Sequence, residues 1–176
     1  MLVYFVRHAS AGQRKADPAK DEKRPLDEDG IAQCGFVGRA LALLDTHIDA
    51  IVSSPLKRAT QTASLVANDL AFESKIEIDP ALRPEASYAQ FRDLLDRHRD
   101  QEAILVVGHN PNLSQFLSRS VGAATTRAGI DMKKGAVARV EVDHNRGVLN
   151  WMLTPKIVRV LYEASGSSSR PKTARK

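Results

Sequence analysis

Apolar residues along this chain recur in two rhythms, short unbroken runs and helical spacings, and their alternation predicts the elements. Leu2–Val6 is an apolar run suited to a buried strand, and it ends on Arg7-His8. Residues 11–25 are charged, mixed in sign and broken by Pro18 and Pro25, which predicts a surface loop. Asp27 is a helix-capping residue, and Ile31, Cys34, Val37, Leu41 and Leu44 follow at helical spacing, predicting a helix to about Leu44 with Cys34 as a core residue on its apolar stripe. Ala50–Ser53 predicts a second buried strand. Ser54 then caps and Pro55 opens a helix to about Leu70, where proline's missing N–H costs nothing. Lys75–Ile78 predicts a short strand and Tyr88–His98 a short amphipathic helix. Ala103–Val107 is the most apolar run and predicts a central strand. After Gly108-His109 a further helix is expected, with Asn110 as cap and Pro111 at its first position. Ala136–Asp143 and Val148–Leu153 predict a hairpin on a sheet edge, turning at His144-Asn145-Arg146-Gly147.

Strands alternating with helices imply an α/β layered fold with a mixed, mostly parallel sheet. In such sheets ligands bind beyond the carboxyl ends of the strands. Residues 1–164 show no internal repeat and no linker, so one domain is expected there. A chain of 176 residues buries enough surface for a core without disulfides or metals. Hydrophobic residues at 43% and charged residues at 27% exclude wholesale disorder. The single cysteine, Cys34, excludes an internal disulfide and a multi-cysteine zinc site.

Charge changes the picture only at the end of the chain. The net charge of +5 invites a nucleic-acid partner, but Arg170, Lys172, Arg175 and Lys176 lie in residues 165–176, which carry no acid. The body is therefore near neutral, and no nucleic-acid partner is expected. That tail is almost devoid of apolar residues, which predicts disorder. No apolar run approaches the roughly 18 residues that span a bilayer, and no secretory leader is evident. A cytoplasmic location with no membrane partner is the expectation.

Three predicted strand ends bring reactive groups to one edge: Arg7-His8, Ser53-Ser54-Pro55-Leu56-Lys57-Arg58, and Gly108-His109. Helix N-termini favour anions, and two arginines supply planar forks that match phosphate oxygens. Two histidines can then serve as nucleophile and as proton or charge partner. Adjacent arginines disfavour the imidazolium, which keeps a histidine nucleophilic. The other histidines, His47, His98 and His144, fall in predicted turns or a helix end and are expected at the solvated surface.

Arg7-His8-Ala9 after an N-terminal strand, Ser54-Pro55-x-x-Arg58-Ala59-x-Gln61-Thr62, and Gly108-His109 together resemble the histidine phosphatase superfamily, related to phosphoglycerate mutases. Within it the likeness is to the short SixA-type phosphohistidine phosphatases. Arg24-Pro25-Leu26 with Gly30, Leu82-x-Pro84, and Leu149-Asn150-Trp151-x-Leu153-Thr154-Pro155 add to it. The resemblance implies a three-layer sandwich, a mixed, mostly parallel central sheet flanked by helices. It implies that His8 is a nucleophile carrying a covalent phosphoryl group, that Arg7 and Arg58 bind phosphoryl oxygens, and that His109 adds a donor. It calls for no cofactor and no metal. Arg24 either reaches the phosphate or faces solvent in a loop already carrying Arg14, Lys15, Lys20 and Lys23. Ser54 and Asn110 are read as structural caps.

Two positions depart from the wider pattern. Ala9 stands where the family usually has glycine, and its methyl group would crowd the loop if the backbone there needed positive φ. Pro84 stands where the broader phosphatases and mutases usually place a glutamate general acid, with Glu85 one residue displaced. Imidazole leaves more easily than an alkoxide, so the missing acid favours a P–N substrate. Between Leu82 and Val106 there is room for one short helix and no lid, which suits a phosphorylated side chain on another protein. The expected activity is therefore removal of phosphate from a phosphohistidine-containing protein, such as a histidine phosphotransfer protein. The rivals are a small-metabolite phosphomonoesterase with Glu85 as general acid, and a phosphate- or phosphoprotein-binding module without turnover.

Overall fold

A computed structural model describes residues 1–122, 129–143 and 146–167. Its centre is a six-stranded sheet in the order β3-β2-β4-β1-β5-β6. The strands are β1 (Leu2–Arg7), β2 (Ala50–Ser53), β3 (Glu77–Ile78), β4 (Ala103–Gly108), β5 (Val137–Asp143) and β6 (Arg146–Leu153). The first four in that spatial order run parallel, and β5 and β6 add antiparallel. β1 and β4 lie at the middle and are buried on both faces, which is why both read as apolar runs without alternation.

Successive side chains of β1 divide between two cores, as the period of a strand requires. Val3 and Phe5 face a cluster with Phe91, Leu94, Leu113, Phe116 and Leu117. These come from α4 (Tyr88–Arg97) and α5 (Asn112–Val121), and Phe91 stacks on Phe116 with centroids 4.8 Å apart. Tyr4 and Val6 face the other cluster, with Val37, Leu41, Ala63 and Val66. Those residues belong to α2 (Glu28–Leu43) and α3 (Lys57–Asp69). The result is the expected three-layer α/β sandwich.

Local chemistry sets the helix starts, and several differ from the sequence expectation. Asp27 caps α2, accepting from Gly30 N at 2.8 Å. Ile31 and Leu44, expected on its buried stripe, are each 54% exposed, because α2 turns a face narrower than the full periodic set toward the sheet. Residues 11–25 contain a short helix, α1 (Pro18–Glu22), with Asp17 capping and proline at its start. α3 begins at Lys57, with Leu56 at the cap position and no side-chain cap. Ser54 and Pro55 thus precede that helix, and Ser54 Oγ instead lies beside His109. α5 begins at Asn112, and Asn110 does not cap it: its Nδ2 donates to the Met132 carbonyl, and its Oδ1 accepts from Ser114 Oγ. A final helix, α6 (Pro155–Ser167), was not foreseen and extends three residues into the predicted tail. Residues 168–176, and His144-Asn145 of the predicted hairpin turn, lie outside the described residues.

His98 is a further correction. It is 8% exposed rather than solvated, with Nδ1 2.9 Å from the Leu94 carbonyl and Nε2 3.2 Å from Glu77. A helix end packed on the sheet gives it both partners. His47 is exposed as expected. Cys34 is buried, and burial pushes its thiol up to about 11, so it is a core residue. No described helix is long and apolar enough to cross a membrane.

Candidate active site

Three parallel strands end side by side. Arg7 at the end of β1 lies opposite Gly108 of β4, and Ser53 at the end of β2 lies opposite Val107. His8, Ser54 and His109 are therefore the first residues beyond three adjacent strands. Backbone bonds continue past the ladders: His8 N donates to Gly108 O at 3.0 Å, and Ser54 N to Val107 O at 2.9 Å. Strand pairing thereby fixes where each reactive side chain begins.

His8 and His109 line a cleft of about 600 Å³, closed by residues of the loop around α1, by Arg83-Pro84-Glu85 and by Lys134. Arg7, His8, Arg24, Arg58, Glu85 and His109, the six candidates from sequence, all line it. The rings of His8 and His109 lie 4.9 Å apart, tilted by 53°.

His8 is 7% exposed, and its Nδ1 lies 2.8 Å from the carbonyl oxygen of its neighbour Ala9. Burial, with Arg58, Arg7 and Arg24 nearby, pushes its imidazole down to about 3. The ring is neutral at ordinary pH. Its proton sits on Nδ1, donated to the carbonyl, and Nε2 keeps a lone pair. His109 is 2% exposed, and burial together with His8 and Arg58 pushes it down to about 2. Its Nε2 lies 2.8 Å from Ser54 Oγ, while its Nδ1 is buried without a partner.

The two arginines are held by backbone. Arg7 Nη1 donates to Met132 O at 2.7 Å. Arg58 Nη1 donates to Asp21 O at 2.9 Å. The Nε of each is buried without a hydrogen-bond partner, as is His109 Nδ1. Unpaired buried nitrogens are rare and costly, and these three belong to residues that line one cleft, a setting that suits an anion. Arg24 is also held inside: Nε donates to Asp21 Oδ1 at 2.9 Å and Nη1 to Ala11 O at 2.6 Å.

Ala9 is accommodated. It is fully buried against Ala11, Leu26 and Cys34, and its φ is not positive. Its amide donates to Thr62 Oγ1 at 3.1 Å, and that hydroxyl donates to Arg58 O at 2.8 Å. α2 approaches this loop so closely that a Cβ at Gly30 would collide with the Ser10 carbonyl.

Three contributors escaped sequence reasoning. Asp21 looked like one charge among many in a mixed loop, Ser54 looked like a cap, and Arg83 carried no motif. Arg83 Nη1 reaches Glu22 at 2.8 Å and Glu85 at 3.4 Å across the cleft mouth. Glu85 has a side chain 67% exposed. Among the described residues no group of three or more His, Cys, Asp or Glu side chains gathers where it could hold a metal ion.

A central mixed sheet with paired histidines and arginines at one edge defines the class, an α/β fold with a cationic cleft beyond the ends of its parallel strands. A family model described as the histidine phosphatase superfamily (branch 1) matches residues 3–91, and the chain belongs to that superfamily. An uncharacterised protein of Picosynechococcus sp. is 30% identical over 165 residues, 89% of this chain and 98% of its own. Phosphohistidine phosphatase SixA of Escherichia coli is 26% identical over 158 residues, 88% of this chain and 94% of its own. Among solved structures, the protein histidine phosphatase SixA complexed with tungstate has a TM-score of 0.79 at 24% identity, covering 90% of this chain and 99% of that one. A phosphoglycerate mutase from Bacillus anthracis has a TM-score of 0.70 at 16% identity, covering 90% and 95%, so the fold is phosphoglycerate mutase-like. With this membership the chain is a phosphatase, a hydrolase of phosphoryl groups.

Proposed function

We propose that this phosphatase removes the phosphoryl group from phosphohistidine in a protein, through a covalent phosphohistidine on His8. The observation that carries the reading is that each carboxylate of the cleft is engaged by an arginine. Asp21 pairs with Arg24 and Arg58, while Glu22 and Glu85 pair with Arg83. Among the described residues no cleft carboxylic acid is held apart from an arginine to protonate an alkoxide, which favours a substrate with a better leaving group. Imidazole is one.

In the first step His8 Nε2 attacks phosphorus, a P–N bond forms, and the P–N bond to the substrate ring breaks. The departing imidazole takes its proton from solvent and leaves neutral. In the second step water attacks phosphorus, its proton passes to solvent, and His8 is released with inorganic phosphate. Arg7 and Arg58 hold the phosphoryl oxygens, for positioning and charge stabilisation supply most of the rate in such transfers. Arg24 supports them from the side of Asp21.

In this reading the Ser54 hydroxyl donates to His109. Leu56 N donates to Ser54 Oγ at 3.4 Å, and His109 Nε2 lies 2.8 Å from the same oxygen, placed to accept the hydroxyl proton. The ring proton then lies on Nδ1, the nitrogen without a protein partner, and serves as a donor to the transferring group. A name of phosphohistidine phosphatase on the E. coli relative supports the same substrate. The test is turnover of a phosphohistidine protein beside phosphoserine and sugar phosphates. Phosphohistidine is expected to be cleaved fastest, and a sugar phosphate outrunning it would overturn the proposal.

A further inference from the structure

Asp21 is the one carboxylate in the cleft that touches an arginine assigned to the phosphoryl group, among the described residues. Its Oδ2 lies 3.3 Å from Arg58 Nη1, and its Oδ1 accepts from Arg24 Nε and from Lys15 N, both at 2.9 Å. Its own carbonyl accepts from Arg58 Nη1 as well. The side chains are sheltered: 13% exposed for Asp21, 7% for Arg58 and 11% for Arg24. Solvent therefore screens this triad less than a surface pair. The hydrogen bond from Arg24 is the main cause that holds the Asp21 carboxyl down at about 2, so it is charged whenever the enzyme works. The short helix α1, capped by Asp17, presents it.

The cleft is otherwise heavily cationic. Arg7, Arg14, Lys15, Arg24, Arg58, Arg83 and Lys134 line it against three carboxylates, two of which sit on Arg83. Among the described residues Asp21 is the carboxylate in contact with Arg24 and Arg58, while Glu22 acts on Arg58 without touching it. A subsite of uncompensated arginines would hold its product as firmly as its transition state, which is uniform binding and gains no turnover.

We propose that Asp21 is an internal counter-anion of the phosphoryl subsite. It holds Arg24 and Arg58 in place between turnovers, and its fixed charge limits how tightly the site retains free phosphate. This rests on the phosphatase reading, with Arg58 on the phosphoryl oxygens, and it names what governs product release. Asp21 is a positioning residue in this scheme and takes no part in the bonds made or broken.

The experiment measures the dissociation constant of inorganic phosphate by calorimetry, and its inhibition constant, for the full chain and four variants. Asp21→Asn keeps the shape and removes the charge; it is expected to bind phosphate about tenfold tighter, the scale of one charge removed at close range. KM falls with it, and kcat does not rise. Asp21→Glu restores the charge and returns phosphate binding toward wild type. Glu22→Gln removes a charge from the same helix that pairs with Arg83 and acts on Arg58 without contact, and it shifts phosphate binding less. A purely structural Asp21 predicts the opposite sign, weaker phosphate binding as the arginines loosen. Unchanged or weaker binding in Asp21→Asn overturns the proposal; should that variant not fold, Asp21→Gln, also neutral and able to accept from the arginines, is read in its place. Turnover of phosphohistidine by wild type is read separately. Its absence, with tighter phosphate in Asp21→Asn, overturns the substrate and not the counter-anion.

Discussion

The imidazole of His8 is tied at Nδ1 to the carbonyl oxygen of Ala9, 2.8 Å away in the next peptide unit. A neutral histidine has one donor and one acceptor nitrogen, so this contact decides which is which. The donor faces the backbone and the lone pair remains on Nε2. Ala9 is in turn fixed through its amide by Thr62, on the helix that also carries Arg58. The orientation of His8, the proposed nucleophile, and the position of Arg58, the arginine proposed for phosphate, therefore share one support.

His8 is expected to carry the phosphoryl group during turnover. Rapid quenching with labelled substrate should trap acid-labile, base-stable label on wild type and none on His8→Ala. Label persisting on His8→Ala would refute the assignment.

Acid should destabilise the fold earlier than carboxylate titration explains. His8 and His109 are buried neutral, held down to about 3 and about 2, while in the unfolded chain they take up protons near pH 6.5. Below that value the unfolded state binds more protons, so stability falls as pH falls, by up to about 1.4 kcal/mol per pH unit for each histidine. In phosphate-free buffer the urea midpoint should drop clearly between pH 6.5 and 4.5. The double variant His8→Asn/His109→Asn should flatten that slope. An equal slope in both proteins would show that these histidines are not buried neutral.

Much of this site was legible because strand ends are legible. Arg7-His8 and Gly108-His109 straddle the ends of the two central strands, β1 and β4, and their parallel pairing brings those ends together. Arg58 was found from its motif. Asp21 was hidden because its partners, Arg24 and Arg58, come from a loop and a helix that only the tertiary fold joins. His98 was misplaced for a similar reason, since its carboxylate partner lies on β3. Ser54 and Asn110 have the chemistry of caps, but each is drawn to another partner, His109 and Met132.

Thr62 should act on the rate through Ala9. Thr62→Val keeps the volume but removes the acceptor for the buried Ala9 amide, an unsatisfied group costing about 1–3 kcal/mol. The Ala9 carbonyl then loosens its hold on His8, and kcat should fall about tenfold or more with KM little changed. Thr62→Ser should restore both. Loss of stability without loss of kcat would confine Thr62 to packing.

The leaving group decides between the two enzyme readings. Glu85 lines the cleft but has a largely exposed side chain, with its carboxylate on Arg83 at 3.4 Å. Pro84, beside it, supplies no proton. An alkyl phosphate must therefore expel an alkoxide unaided, and general acids typically contribute about 10²–10⁴-fold. Phosphohistidine escapes most of that penalty, because its ring takes a proton from solvent. Hence kcat/KM should rank phosphohistidine first, aryl phosphates second and alkyl phosphates last. Glu85→Gln should change phosphohistidine turnover little. If it instead abolished activity on every substrate, and a phosphoglycerate or sugar phosphate outran phosphohistidine in wild type, Glu85 would be the general acid and the enzyme a metabolite phosphomonoesterase.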